Sequence, residues 1–229
     1  MQNFVEQFTL NFIDDNRYQY ILQGFVNTLI ITFLAALLGI ALGFLVAIIR
    51  SGHDKTGHMK IPNFICQVYL TVVRGTPTMI QLLIIYYVIF ASVNVSKIFA
   101  AVVAFGLNSG AYVAEIVRSG IMSVDEGQSE AGRSLGLNYR QTMQFIIMPQ
   151  AFKNVVPALG NEFIVLLKET SISGYIGLTD LTNGGDIIRG ITFSPFMPLI
   201  AVALIYLLLV TGLSWCVGRL ERRLRVSER

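Results

Sequence analysis

Residues 18–49 read YQYILQGFVNTLIITFLAALLGIALGFLVAII, and none of these side chains is charged. Crossing the hydrocarbon of a bilayer as a helix takes about 20 largely apolar residues. This run is longer, so it reads as a membrane span and not as the core helix of a soluble domain. Other stretches share its character. Arg74 is the one charge between Ile61 and Ser96, Glu115 is the one charge between Ile98 and Val117, and Gly190 to Gly218 carries none. Of the 229 residues 54% are hydrophobic and 14% charged, against about 25% charged in a soluble domain. The deficit is concentrated in these runs. They predict an all-α integral membrane protein of about five helices, near 19–49, 61–91, 97–119, 145–168 and 195–218.

The charges that remain are sorted by side. Connection 50–60, stretch 118–153 and the tail RLERRLRVSER hold Arg50, Lys55, Lys60, Arg118, Arg133, Arg140, Lys153, Arg219, Arg222, Arg223, Arg225 and Arg229; the other side holds at most Arg17, Lys97, Lys168 and Arg189. Lys and Arg of short loops stay cytoplasmic. The N-terminus is therefore expected outside and the C-terminus inside, as an odd number of spans requires. The net charge of +3 follows from this sorting and does not point to nucleic acid. The acidic start, with Glu6, Asp14 and Asp15, does not fit a signal peptide, so the first run is expected to stay as a span. Cys66 and Cys216 lie in or beside apolar runs and read as small buried hydrophobes, since a disulfide or metal site needs more partners nearby. His53 and His58 are poor metal ligands on the same reasoning.

Within the spans, Ala35, Gly39, Gly43 and Ala47 place a small residue every fourth position, which lets another helix approach closely. Pro77 cannot donate to the carbonyl of Val73 and predicts a kink; in lipid the freed carbonyl needs another partner. The polar stretch 119–148, SGIMSVDEGQSEAGRSLGLNYRQTMQFIIM, predicts a short exposed helix through Ser129–Ser134, a stop at Gly136 and a second helix capped by Asn138. Such an elbow suits docking into a soluble partner.

Segment 130–149, EAGRSLGLNYRQTMQFIIMP, resembles the EAA signature of the permease subunits of binding-protein-dependent ABC importers. That signature reads Glu-Ala-Ala, three residues, Gly, nine residues, Ile, one residue, Leu-Pro. Glu130, Ala131, Gly136, Ile146 and Pro149 match it. Gly132 stands for the third Ala and Met148 for Leu, and Gly132 is expected to weaken the first short helix slightly. RGTP at 74–77 followed by Gln81, AYVAEIVRSGI at 111–121 and NEFIVLLKETS at 161–171 resemble the polar amino-acid uptake branch. The resemblance runs from Gly24 to Arg223. It implies a type I importer permease fold in a bacterial inner membrane and a second permease, identical or related. It also implies a pair of separate ATPase subunits, an extracytoplasmic solute-binding protein and an amino-acid substrate. ATP and Mg would sit on the ATPase, and this sequence has no G-x-x-x-x-G-K-[ST] of its own. Glu130, Ala131, Gly132, Gly136 and Leu137 would form the coupling loop, within 120–144.

Ionisable groups inside spans are costly and face an interior or a cavity. Glu162 lies thirteen residues past Pro149, about 20 Å up the fourth helix at 1.5 Å per residue. Either it attracts a positive group of the substrate, or it forms a structural ion pair with Lys168 or Arg74. Arg74 either meets a substrate carboxylate or ties loosened carbonyls or a neighbouring carboxylate together, with Gly75 and Thr76 exposing polar groups at the same break. Asn108 and Ser109 suit hydrogen bonds between helices or a place in the path. Glu115 and Arg118 suit an i,i+3 pair. Lys168 to Ser171 form either an outer gate or a solvated helix end. No nucleophile–base pair stands out, so the chain is not expected to be an enzyme. A gradient-driven transporter would favour internal repeats, which the five runs do not form, and a scaffold would not need Glu162 or Arg74 in the membrane.

Overall fold

In the computed structural model residues 4–226 are described, the side chains of residues 55, 56, 225 and 226 excepted, and every element among them is helical. Arg229 of the basic tail, and the side chains of Lys55 and Arg225, lie outside this description. A short helix α1 (Phe4–Phe8) with a π-turn leads into α2 (Tyr18–Thr56). Then follow α3 (Lys60–Gly75), α4 (Thr78–Ile84) with a π-turn to Ile89, α5 (Lys97–Met122), α6 (Glu126–Ser134) and α7 (Tyr139–Thr142). A π-turn over Met143–Ile147 joins α8 (Met148–Glu169), and a 3₁₀ segment precedes α9 (Leu181–Thr192) and α10 (Phe196–Val226).

Helices thus occupy all five stretches read as spans. By length and apolarity α2, α5 and α10 are able to cross a membrane, and α3 with α4 is a fourth candidate bent by 111°. The expected kink is therefore a break between two helices. Helix α8 falls short of that measure because Lys153, Asn154, Asn161 and Glu162 interrupt it, and some of these face a cavity. Two helices were not expected. α1 precedes the first span, and α9 lies in the connection after α8, started by Asp180, whose side chain accepts from the Thr182 N–H.

The centre of the bundle is the α2–α5 contact. A Cβ built on Gly39 would lie 2.9 Å from Ser109 Cβ, and one on Gly43 only 2.4 Å from Val113 Cγ1. Ala35 and Ala47 of the same stripe are buried. Pairing 39 with 109 and 43 with 113 makes the two helices run in parallel. Lipid tails are as apolar as leucine, so close van der Waals packing of small residues, not apolarity, holds such a pair. Around it pack Leu82 of α4, Ile85 of the π-turn after it, Phe105 of α5 and Leu166 of α8 in one cluster, and Cys66 and Leu70 of α3 in another. The two cysteines are free, and Cys216, expected to be buried, is exposed on α10. An apolar run specifies membrane, and it does not specify which side of a helix meets protein.

Candidate functional site

A cavity of about 440 Å³ opens between α3, α5 and α8, lined among others by Arg74, Tyr112, Glu115, Ser119, Asn154 and Glu162. The spacing explains the lining. Positions 112, 115 and 119 lie on one face of α5, and 154, 158 and 162 on one face of α8, at the three- and four-residue steps of a helix. Glu162 Oε1 accepts from Ser109 Oγ at 2.9 Å, and no ion pair of Glu162 is found among the described residues. Arg74 Nη1 is 3.3 Å from Glu115 Oε2, with side chains 44% and 36% exposed, and its guanidinium lies 5.8 Å from the centre of the Tyr112 ring. Half-exposed charges at this depth do not face hydrocarbon. The open side of the cavity therefore meets water or another protein surface.

The break between α3 and α4 is held by one side chain. Gln81 Nε2 donates to the carbonyl of Val73 at 2.7 Å and to the Thr76 carbonyl at 3.0 Å. It also lies 2.9 Å from Thr76 Oγ1. The carbonyl that Pro77 frees thus has its partner. Thr76 Oγ1 itself donates to Val72 O at 2.8 Å. Asn108 Nδ2 donates to Gln81 Oε1 at 3.2 Å, so α5 braces the break from behind.

Of the residues read from sequence as candidates for substrate contact, the fold brings Glu162 and Arg74 to the cavity, where Glu115, read as half of an ion pair, joins them. It does not bring Gly75, Thr76, Asn108 and Lys168 there. Asn108 is buried behind Gln81, the Thr76 hydroxyl is spent on the backbone, a Cβ built on Gly75 would meet no atom of another described element within 4 Å, and Lys168 is exposed towards the far end of α8. The pair Glu162 with Lys168 or Arg74 is not formed, because Glu115 takes Arg74. The expected Glu115–Arg118 pair is not formed either, because Arg118 reaches Asp54 of α2 at 3.7 Å. Sequence reasoning did not single out Tyr112, Ser119 and Asn154, which line the cavity. Their signal was the polar 112–115–119 and 154–158–162 stripes.

The elbow follows local rules closely. Asp125 caps α6 through the Gly127 N–H. Gly136, at φ +80°, ends α6: Leu137 N donates to Gly132 O at 3.1 Å and Gly136 N to Arg133 O at 2.9 Å, the two bonds of a Schellman stop. Asn138 and Gln141 form a reciprocal capping box at the start of α7. Glu130 and Ala131 are exposed, Leu137 is half-buried, and Leu135 projects at the turn with 78% of its surface exposed. Gly132 departs from expectation. It is buried, and a Cβ there would lie 2.7 Å from Thr142 Cγ2 and 3.1 Å from Ile146 Cδ1. Glycine permits α6 to seat on α7, so what reads as a weak helix position is a packing contact.

An exposed elbow below a charged cavity between broken and unbroken spans agrees with known proteins. Residues 39–226 match the family described as binding-protein-dependent transport system inner membrane component. The chain belongs to this family. It is 37% identical to the arginine transport system permease protein ArtQ of Bacillus subtilis (strain 168), over 91% of this chain and 94% of that one. It is 36% identical to the glutamine transport system permease protein GlnP of Escherichia coli (strain K12), over 83% and 88%. A crystal structure of an amino acid ABC transporter with histidines superposes with a TM-score of 0.84 at 41% identity, covering 93% of this chain and 98% of that one. Inward-facing MetNI methionine ABC transporter matches at TM-score 0.74 and 20% identity, a likeness of fold alone. The chain is a multi-pass membrane permease subunit of the amino-acid ABC importer type, and subunits of this family are not themselves catalytic.

Proposed function

We propose that this chain carries polar amino acids across a bacterial inner membrane by alternating access, with ATP and Mg²⁺ bound and hydrolysed on separate ATPase subunits. Five crossings, with α8 as the least apolar, put the N-terminus outside and the elbow in the cytoplasm. The observation that carries the reading is the cavity: Glu162 has a hydroxyl donor and no cation, while the neighbouring Arg74 and Glu115 neutralise each other. The unmatched acid suits the α-ammonium of an amino acid or a basic side chain. A second permease, identical or related, supplies the other wall, since charges at that depth need cover from lipid. A solute-binding protein delivers the substrate at the end opposite the elbow. The exposed Leu135, Glu130 and Ala131 suit a groove on the ATPase, whose closure rocks α5 and α8.

Uptake of labelled arginine and glutamine by cells carrying the complete transporter tests this. Glu162→Gln is expected to raise KM for the transported amino acid at least about tenfold, the effect of roughly 1.4 kcal/mol of lost attraction, with assembly intact. Unchanged KM and rate in a fully assembled complex would remove Glu162 from the path.

A further inference from the structure

Helix α10 ends in a feature the transport reading does not use. Trp215, Cys216, Arg219, Leu220 and Arg223 line a shallow cavity of about 420 Å³ on its outer surface. The Arg219 guanidinium lies 5.1 Å from the centre of the Trp215 ring. Leu204, Leu207 and Leu208, each more than half exposed, continue the same stripe towards the middle of the helix. The aliphatic run, then the tryptophan, then the arginines follow the order of a phospholipid from acyl chain through glycerol to phosphate. Tryptophan favours that boundary, and arginine stems reach along apolar surface to hold their charge at it.

The stripe also points away from the site and its second wall. Residues two apart on a helix are separated by about 200°. Gly160 of α8 meets Val217, at 2.7 Å from a built Cβ, while Ala158 and Glu162, two positions either side of it, line the cavity. Helix α10 therefore sits behind α8. Trp215 and Arg219 lie two positions either side of Val217, so they turn away from α8. Only 11% of the most apolar stretch of α10 is buried, against 67% in α5. We infer that the Trp215–Arg219–Arg223 surface is a binding site for an anionic phospholipid, its headgroup phosphate held by the two arginines and one acyl chain laid along Leu204–Leu208.

Trp215 is the sole tryptophan of the chain, which makes the test direct. The complete transporter is placed in bilayers containing brominated phosphatidylglycerol or brominated phosphatidylcholine. The Trp215 signal is taken as the difference from a complex carrying Trp215→Phe. The expected result is quenching at a roughly fivefold lower mole fraction of the anionic lipid, the effect of about one arginine near an anionic headgroup. That preference is expected to shrink as KCl is raised and to vanish in Arg219→Gln/Arg223→Gln, whose quenching by phosphatidylcholine stays as in the wild type. Equal quenching by both lipids would overturn the site, leaving ordinary lipid contact. Absence of quenching by either would overturn it in favour of a protein cover. Relief of the quenching by inorganic phosphate beyond that given by KCl at the same ionic strength would overturn the lipid as its occupant. If the double variant does not assemble, the salt dependence in the wild type decides alone.

Discussion

Helices α5 and α10 are both long and apolar, yet they hold opposite places. Most of α5 is enclosed, and α10 is nearly bare. Helix α10 is the more apolar of the two and yet the barer, so the sorting follows side-chain size and not apolarity. On the buried face of α5 the small residues Ala100, Ala101, Ala104, Gly106, Gly110, Ala111 and Ala114 outnumber Phe105, Val113 and Val117, whereas the open face of α10 is Leu204, Leu207, Leu208 and Trp215. In water the large apolar residue goes inside, because burial removes it from solvent. In lipid nothing is gained by hiding a leucine from hydrocarbon, so the inside goes to residues that let backbones touch.

The strongest way to break this contrast is to exchange sizes. At Gly43 a Cβ would lie 2.4 Å from Val113 Cγ1 and 2.9 Å from the Ala114 backbone nitrogen. Backbone cannot rotate away, so Gly43→Leu is expected to cost at least about 3 kcal/mol and to abolish most of the assembled complex, read as yield and thermal midpoint. Leu208→Ala removes more apolar surface and is expected to change the midpoint by no more than about 0.5 kcal/mol. Similar losses from both would show that size does not sort these helices.

A second test concerns how the peripheral helix is attached. Helix α9 bridges α2 and α10. Leu181 N donates to Thr28 Oγ1 at 3.0 Å, and a Cβ on Gly185 would lie 2.6 Å from Val202 Cγ2. Its cap, Asp180, lies in the connection outside the spans and is fully buried, with Oδ1 lacking a partner among the described residues. Burial pushes this carboxyl from 3.8 up to about 6, against the opposing pull of the Thr182 and Asn183 N–H groups. The folded protein therefore holds more protons than the unfolded chain between those values. Stability falls as pH rises through that window and levels off above it. Asparagine is as good a cap and does not titrate. Asp180→Asn is expected to lack this fall, so its midpoint gains on the wild type between pH 4.5 and 7.5, by up to about 2 kcal/mol. Parallel pH curves would mean that the carboxyl does not titrate in the joint.

These elements also differ in how far they were legible. The helices in the apolar runs, the Gly39–Gly43 stripe, the orphaned Val73 carbonyl, the Gly136 stop and the Asn138 cap follow from rules acting within a few residues, and sequence carries those rules openly. The cross-helix partners do not. Arg74 chose Glu115 over Glu162, and Arg118 chose Asp54 over its helical neighbour, because helix rotation and the bend after Gly75 decide which charges meet. Helix α9 was missed because Gly184, Gly185 and Gly190 resemble a loop. Its signals were the Asp180 cap and the Leu181–Ile188 spacing. Gly184 and Gly185 serve contacts: a Cβ on Gly184 would lie 2.4 Å from the Tyr20 carbonyl oxygen and one on Gly185 2.6 Å from Val202 Cγ2.

The smallest expected effect extends the size rule beyond the bilayer, to the elbow. Helix propensity favours Gly132→Ala by up to about 1 kcal/mol, and alanine is what the EAA signature carries. Packing opposes it, since the new methyl meets Thr142 Cγ2 at 2.7 Å and Oγ1 at 2.9 Å, and a β-branched side chain on a helix has little freedom to turn aside. The clash is expected to win by about 1 kcal/mol. Thr142 Oγ1 is buried without a hydrogen-bond partner among the described residues, so Thr142→Ala forfeits no bond to them and opens the space. The double variant Gly132→Ala/Thr142→Ala is then expected to recover the propensity gain, giving a favourable coupling of about 2 kcal/mol between the two positions. Midpoints of the four proteins, with substrate-stimulated ATPase activity of each complex, measure it. Additive midpoints would mean that the two helices of the elbow are not pressed together at Gly132, and that glycine there is a helix weakness after all.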